Sequence, residues 1–309
     1  MKKTLTILFL MLSGNIIFAQ DLEVQTFGNK NNKPIIFLHG GPGYNSVTFE
    51  STTAEELAKN GFFVISYDRR GEGRNESLTA TYTFDETFKD INQIYKTFNL
   101  KKATLIGHSF GGVIATLFAD TYPENINTLI LVGTPVSMQE TLKNIVSKSK
   151  AIYLEKDDKA NLNYISMLEK MDSTSLEYSS YSFMHAMSNG FYTTKNPNQK
   201  AIDLYKTFQS DTLLQKYASK MGYVAPQKFW QNEQYTTISL EKNLEKLMAK
   251  KVKIFAIYGK EDGLYSEEQI TELKLIIGNN KVTYLENCSH SVFIDQQKEF
   301  IESIKVWTK

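Results

Sequence analysis

Four histidines, one cysteine and a glycine-flanked serine bound the covalent chemistry open to this chain. The serine is Ser109, in Gly107-His108-Ser109-Phe110-Gly111, between an apolar run ending at Ile106 and a helix-forming run beginning Val113-Ile114-Ala115. Gly-x-Ser-x-Gly between a strand and a helix is a nucleophile elbow, a turn tight enough to lift the hydroxyl above the sheet. The glycines are needed because strand and helix approach too closely for a Cβ and the backbone is strained at the serine. The helix that follows aims free N–H groups and a partial positive charge at the same point. The pentapeptide alone is a weak signal. Its weight comes from the strand before it and the helix after it.

A serine hydroxyl needs a base within hydrogen-bond reach, and the base needs a carboxylate to orient it. At elbows of this kind the partners follow in the order Ser, acid, His. His39 comes before the elbow, His108 adjoins the serine so that its side chain diverges, and His185 lies in a helical stretch far from any strand end. His290, in Glu286-Asn287-Cys288-Ser289-His290 after the last strand, is the expected base. Asp262 is the expected acid and Glu261 the fallback, both in the loop Tyr258-Gly259-Lys260-Glu261-Asp262-Gly263. That loop opens on the C-terminal edge of a strand, where open α/β sheets bind their ligands. A tetrahedral intermediate also needs oxyanion donors. The N–H of Phe110, the residue after the nucleophile, is one, and the glycine loop His39-Gly40-Gly41-Pro42-Gly43 supplies the other through Gly41. Cys288 reads as a small buried hydrophobe, with no helix N-terminus or basic neighbour to activate it.

These residues require a sheet to hold them. Pro34–Leu38 and Phe62–Tyr67 are continuous apolar runs of the kind buried on both faces, and Ala103–Ile106, Thr128–Val132, Val252–Tyr258 and Val282–Leu285 complete the set, with an edge strand at Asp21–Phe27. Helical spacing over Thr53–Asn60, Phe84–Phe98, the stretch from Ser109 to Tyr122 and Gln297–Trp307 alternates with them. The alternation predicts an α/β fold with a mostly parallel sheet and helices on both faces. Between 136 and 250 the rhythm breaks into helix-like, aromatic-rich sequence, read as an inserted helical cap between two core segments, 20–135 and 251–309. Its aromatics are read as core, and none is assigned to a ligand.

With 309 residues, 41% of them hydrophobic, the chain can bury one large core or two, and a formal net charge of +1 offers no nucleic-acid footprint or polybasic membrane patch. Lys2 and Lys3, the apolar Leu5–Leu12 and Ile17-Phe18-Ala19 form the pattern of a cleavable bacterial signal peptide over 1–19. Its apolar part is shorter than the roughly 20 residues of a spanning helix. The expected location is the periplasm or the exterior, with no stable membrane span after cleavage. A single cysteine allows no intramolecular disulfide there.

The motifs His39-Gly40-Gly41-Pro42-Gly43, Asp68-x-Arg70-Gly71-x-Gly73, Gly107-x-Ser109-x-Gly111, Gly259-x-x-Asp262 and His290 together resemble the α/β-hydrolase superfamily, in order and spacing. The glycine loop with Asp68-x-Arg70-Gly71 is similar to the proline iminopeptidase branch, serine exopeptidases that release an N-terminal proline. The resemblance implies that Asp68 and Arg70 brace the loops around the site. His39 and Gly40 are structural neighbours of the site on the same reading. It also implies that glutamates in or near the cap read the substrate's free amino group; Glu155, Glu169, Glu177 and Glu233 are available. Asn75 stands where the family usually has serine, and His108 and Phe110 replace the family's more frequent neighbours of the nucleophile.

The expected protein is therefore a secreted serine hydrolase of small molecules or short peptides, an aminopeptidase first and a carboxylesterase on small esters as the alternative. A non-catalytic binder that kept the pocket is a third class. A metal site shared by His39, His108 and His290 ranks last, because neither HExxH nor a carboxylate cluster supports it, so neither metal nor cofactor is expected. A histidine base predicts activity that rises across about pH 5 to 8, and a flat profile over that range would exclude it.

Overall fold

A computed structural model describes residues 22–309; the leader expected over 1–19 lies outside the described residues. The strands are β1 (Val24–Phe27), β2 (Lys33–Leu38), β3 (Phe62–Tyr67), β4 (Ala103–His108), β5 (Ile126–Val132), β6 (Ile254–Gly259) and β7 (Val282–Leu285). They form one sheet in the order β1-β3-β2-β4-β5-β6-β7, with β1 antiparallel to β3 and every other pairing parallel. Parallel neighbours cannot be joined by a tight hairpin, so helical crossovers connect them and cover both faces.

The apolar runs divide by side-chain alternation. Ile36, Leu38, Ile65, Leu105 and Leu129 face one core, and Ile35, Phe37, Val64, Ile106 and Ile130 face the other. Between β2 and β3 runs a helix of three parts: α1 (Val47–Phe49), a π-helical turn (Glu50–Ala54) and α2 (Glu55–Lys59). It starts six residues before the predicted Thr53, because buried Glu50 and Thr52 are polar and hide the helical period. α3 (Phe84–Thr97) and α4 (Phe110–Thr121) pack on the first core.

Seven helices follow β5 with no strand among them: α5 (Met138–Glu155), α6 (Lys159–Leu168), α7 (Leu176–Ser188), α8 (Gln199–Thr207), α9 (Thr212–Tyr217), α10 (Val224–Glu233) and α11 (Glu241–Ala249). The last of these returns the chain to the first core through Leu244 and Leu247. α12 (Glu267–Ile277), between β6 and β7, was not anticipated, although its signal is in the sequence. Ser266 and Gln269 form a capping box, and Ile270, Leu273 and Ile277 follow at helical spacing. The short α13 (Val292–Asp295) and α14 (Gln297–Trp307) close the second core, where Phe37 and Phe49 stack with ring centroids 3.6 Å apart and Phe293 stands edge-on to both. Among the described residues no helix is long and apolar enough to cross a membrane.

The N-terminus of α4 presses onto the end of β2. A Cβ on Gly111 would lie 2.0 Å from the Leu38 carbonyl oxygen and 2.6 Å from that of His39. These are backbone atoms and cannot swing aside. Gly111→Ala is expected to lower stability by at least about 2 kcal/mol, read as a shift in the urea midpoint. An unchanged midpoint would mean that α4 can lift off β2.

Candidate active site

Ser109 sits at the junction of β4 and α4 with φ +53° and ψ −125°, a left-handed region that a non-glycine residue seldom adopts. Its N–H donates to the Val132 carbonyl at 2.8 Å, and its own carbonyl accepts from the Gly112 N–H at 2.9 Å. A Cβ on Gly107 would meet the Gly112 Cα at 2.4 Å, so no larger residue fits under the turn. Phe110 opens α4, and its N–H lies in the first turn, where helix geometry offers no carbonyl partner. The Phe110 ring is buried among Phe84, Phe229 and Tyr235 at 6.2, 5.6 and 5.5 Å between centroids.

His290 and Asp262 meet at the C-terminal edge of the sheet. His290 Nδ1 is 2.7 Å from Asp262 Oδ2, with the side chains 6% and 1% exposed. The other Asp262 oxygen accepts from the Leu264 N–H at 3.0 Å. The loops that carry them are in contact, since the Glu261 N–H donates to the Cys288 carbonyl and a Cβ on Gly259 would lie 2.1 Å from that oxygen. Glu261 turns the other way. Its Oε2 accepts from Thr194 Oγ1 at 2.6 Å and from the Lys195 N–H at 2.5 Å, so of the two carboxylates only Asp262 touches the histidine.

The imidazole is walled in. His108 Nε2 donates to the His290 carbonyl at 3.0 Å, and the two rings lie 4.7 Å apart. Tyr192 from the helical insertion stands edge-on to the His290 ring at 5.2 Å. Gly133, next to Val132, leaves room for the ring, because a Cβ there would lie 3.1 Å from His290 Nδ1. Ser109 is thus tied to Val132, and the His290 ring lies against the next residue, Gly133. Behind them, Asp295 accepts from the Ser289 N–H at 2.7 Å, from Ser289 Oγ at 2.5 Å and from Tyr205 Oη at 2.8 Å. Burial raises the Asp295 carboxyl above its ordinary range even against those donors. Ser289 and Asp295 follow no motif: their bond closes within the short turn into α13, and only Tyr205 comes from across the fold.

The glycine loop lies against the elbow. A Cβ on Gly40 would stand 3.2 Å from Ser109 Cβ. His39 is fully enclosed; its Nδ1 donates to the Gly40 carbonyl at 2.8 Å and its Nε2 accepts from the Arg69 N–H at 3.1 Å. Both ring nitrogens are thereby used in the neutral form, and burial and the Arg69 charge hold its pKa well below the usual histidine range. Asp68 accepts from the Ser46 N–H, Ser46 Oγ and Arg74, which continues to Glu50. Burial alone would raise the Asp68 carboxyl; the Arg74 hydrogen bonds and charge overturn that and hold it well below the carboxylate range.

Arg70 and its neighbour Arg69 both leave the loop after β3. Arg70 Nε pairs with Asp90 Oδ1 of α3 at 2.9 Å, so it ties its loop to a helix. The neighbour Arg69, at the variable position of the motif, reaches the glycine loop, donating to the His39 and Gly40 carbonyls at 2.7 and 2.6 Å. Cys288 is fully buried and its thiol is pushed up by desolvation, as befits a packing residue. His185 is hydrogen-bonded to Tyr153 Oη at 2.8 Å within the insertion. Among the described residues no group of three His, Cys, Asp or Glu could hold a metal ion. Glu155, Glu169 and Glu177 are exposed, whereas half-buried Glu233 accepts from the Phe84 N–H at 2.7 Å, beside the Phe110 cluster.

A family model described as alpha/beta hydrolase fold matches residues 33–297. The chain is 27% identical over 292 residues to a proline iminopeptidase of Lactobacillus helveticus, covering 91% of each. It is also 27% identical over 310 residues to a proline iminopeptidase of Lactobacillus acidophilus, covering 96% of this chain and 98% of the relative. Among solved structures, an esterase from Exiguobacterium antarcticum superposes with a TM-score of 0.62 at 19% identity, over 93% of this chain and 95% of its own.

Two buried histidines make the fold acid-sensitive. Burial, and secondarily the neighbouring His290, lowers His108 to about 3, and His39 is lowered likewise. The unfolded chain takes up these protons near pH 6.5 while the native state does not, so stability is complete above that pH and lost below it. Each is expected to contribute a slope of about 1.4 kcal/mol per pH unit well below pH 6.5. Urea midpoints that stay constant between about pH 7 and 5 would contradict the buried neutral rings.

Proposed function

Because the chain belongs to the α/β-hydrolase fold family, we propose that it is a serine hydrolase working through Ser109, His290 and Asp262, and specifically an aminopeptidase of the proline iminopeptidase kind. The observation that carries the chemistry is the 2.7 Å contact of His290 Nδ1 with Asp262 beneath the elbow. With Nδ1 committed to the carboxylate, Nε2 is the nitrogen free to act as base.

In this reading Ser109 Oγ attacks the acyl carbon and its proton passes to His290 Nε2. The oxyanion forms against the N–H groups of Phe110 and Gly41. Collapse breaks the C–N bond, and the leaving amine takes the proton from His290. Water then attacks the acyl-enzyme, gives its proton to the same nitrogen, and collapse releases the free acid and restores the Ser109 hydroxyl. Asp262 stays ionised and stabilises the imidazolium.

Similarity to iminopeptidases over nearly the whole chain supports the peptidase choice. Of the glutamates available to read a free amine, Glu233 is the best situated, on the helix whose Phe229 touches the nucleophile's neighbour. The alternative, hydrolysis of small esters, is favoured by one observation: Glu233 already holds a backbone N–H. Leader-like residues 1–19 support export.

The test is hydrolysis of a proline arylamide with a free amino group, its N-blocked form and short-chain aryl esters, by the protein and by Ser109→Ala. Preference for the free arylamide, abolished in Ser109→Ala, is the expected result. Glu233→Gln should then raise KM for that substrate by about tenfold or more, the worth of a charged hydrogen bond. Esters cleaved with arylamides ignored would favour the second reading, and turnover that survives Ser109→Ala would end both.

A further inference from the structure

Beneath the glycine loop lies a buried ion pair that the reaction above does not use. Arg69 and Glu72 have side chains 4% and 0% exposed, with Arg69 Nη2 2.8 Å from Glu72 Oε2 and Nε 3.0 Å from Oε1. The pair is forked, so the guanidinium plane is fixed by its partner. Its remaining bonds go to the glycine loop. Nη1 donates to the His39 carbonyl at 2.7 Å and Nη2 to the Gly40 carbonyl at 2.6 Å, while Glu72 Oε2 accepts from the Gly43 N–H at 2.9 Å. The pair therefore holds the loop at both ends, on either side of Gly41. The guanidinium carbon also stands 5.6 Å from the centroid of the Phe110 ring, beside the other donor residue.

The Gly40 carbonyl and the Gly41 N–H belong to one planar trans peptide and point in opposite directions. Fixing one end therefore aims the other. Two donors fix the carbonyl end, Arg69 Nη2 and His39 Nδ1. A carbonyl that accepts from a charged donor also polarises its own amide, which strengthens the N–H at the far end. The Gly40 end of this peptide abuts Ser109.

We propose that Arg69, clamped by Glu72, is the positioning residue of the oxyanion hole: it sets the Gly40–Gly41 peptide plane so that the Gly41 N–H faces the developing oxyanion. This rests on the reading of Ser109 as nucleophile and Gly41 as donor. The competing role is purely structural, a buried pair that only holds the fold together.

Three variants of the full-length protein separate the two: Arg69→Lys, Arg69→Met, and Arg69→Met combined with Glu72→Met. The double variant leaves no unpaired buried carboxylate and is the one expected to fold best. Each is titrated with a fluorophosphonate to count competent sites, assayed on an aryl ester, and inhibited with an aryl trifluoromethyl ketone. That ketone bonds to Ser109 Oγ as its C=O electron pair moves onto oxygen and the serine proton moves to His290, so its affinity reports the oxyanion hole directly. The expected result is a loss of about 10- to 100-fold in kcat per titrated site. KM should change little, the ketone should weaken in step with kcat/KM, and Arg69→Lys should recover part of the loss.

A lower melting temperature and fewer competent sites, with kcat per site and ketone affinity unchanged, would overturn the proposal and leave a structural pair. If both methionine variants aggregate, Arg69→Lys decides by the same two readouts, since it keeps the charge and loses the fork. Aryl-ester turnover or fluorophosphonate labelling that persists in Ser109→Ala would overturn the nucleophile and the proposal together.

Discussion

The closeness of helix and strand at the elbow is the constraint on which the rest of the site depends. With hydrogen in place of Cβ at Gly107, Gly111 and Gly112, α4 can rest on the end of β2 and against Thr134. The turn that results forces Ser109 to φ +53°, a strain of about 1–3 kcal/mol. That cost is outweighed locally. Val113, Ile114 and Phe118 of the same helix are fully buried, and each such side chain contributes about 1.5–3 kcal/mol. A helix set further from the sheet would relieve the serine but carry the Phe110 N–H away from the glycine loop. The strain at Ser109 and the proximity of its two proposed oxyanion donors have one cause.

Around that contact the protein buries several charges. Arg69 and Arg74 lie beneath the loops after β2 and β3, answered by Glu72, Asp68 and Glu50. Pairs of this kind roughly break even against apolar side chains, because desolvation offsets most of the attraction. Their presence is poorly explained by stability. What they supply is direction: forked hydrogen bonds to carboxylates and to the carbonyls of His39 and Gly40 admit one arrangement of loops that have no regular structure. The Arg69 charge also disfavours a second positive charge on His39. The ring therefore stays neutral, with one nitrogen donating and the other accepting.

Much of this was legible in the sequence, for reasons that differ by element. β2 to β6 are largely buried and apolar, β7 half-buried, and all are bounded by glycine or polar turns, so their positions follow from pattern within a residue or two. Elimination among four histidines points to His290, and a place at a strand end points to Asp262. Hidden were the residues whose contacts follow no motif or period. Arg69 occupies the variable position of its motif, Glu50 interrupts the helical period that would have revealed α1, and Asp295 reaches Ser289 through the turn of α13. α12 is a different case: its capping box, Ser266 with Gln269, is a local signal legible in the sequence.

The adjacent carboxylates Glu261 and Asp262 show why weighing residues one at a time reveals only part of such a site. Treated as alternatives for one role, one of them appears dispensable. In the fold they face opposite ways from the same loop, Asp262 toward His290 and Glu261 toward Thr194 and Lys195 of the helical insertion. That tether is reinforced where Gly263 donates to the Phe191 carbonyl, and Ser289 Oγ lies 2.8 Å from the Tyr192 carbonyl. The segment that sets Tyr192 against the His290 ring is thus fastened to both loops that carry the acid and the base. An insertion bound in this way cannot be exchanged for another shape without disturbing the imidazole. In this chain, the part that would read the substrate and the part that would perform the chemistry are mechanically one piece.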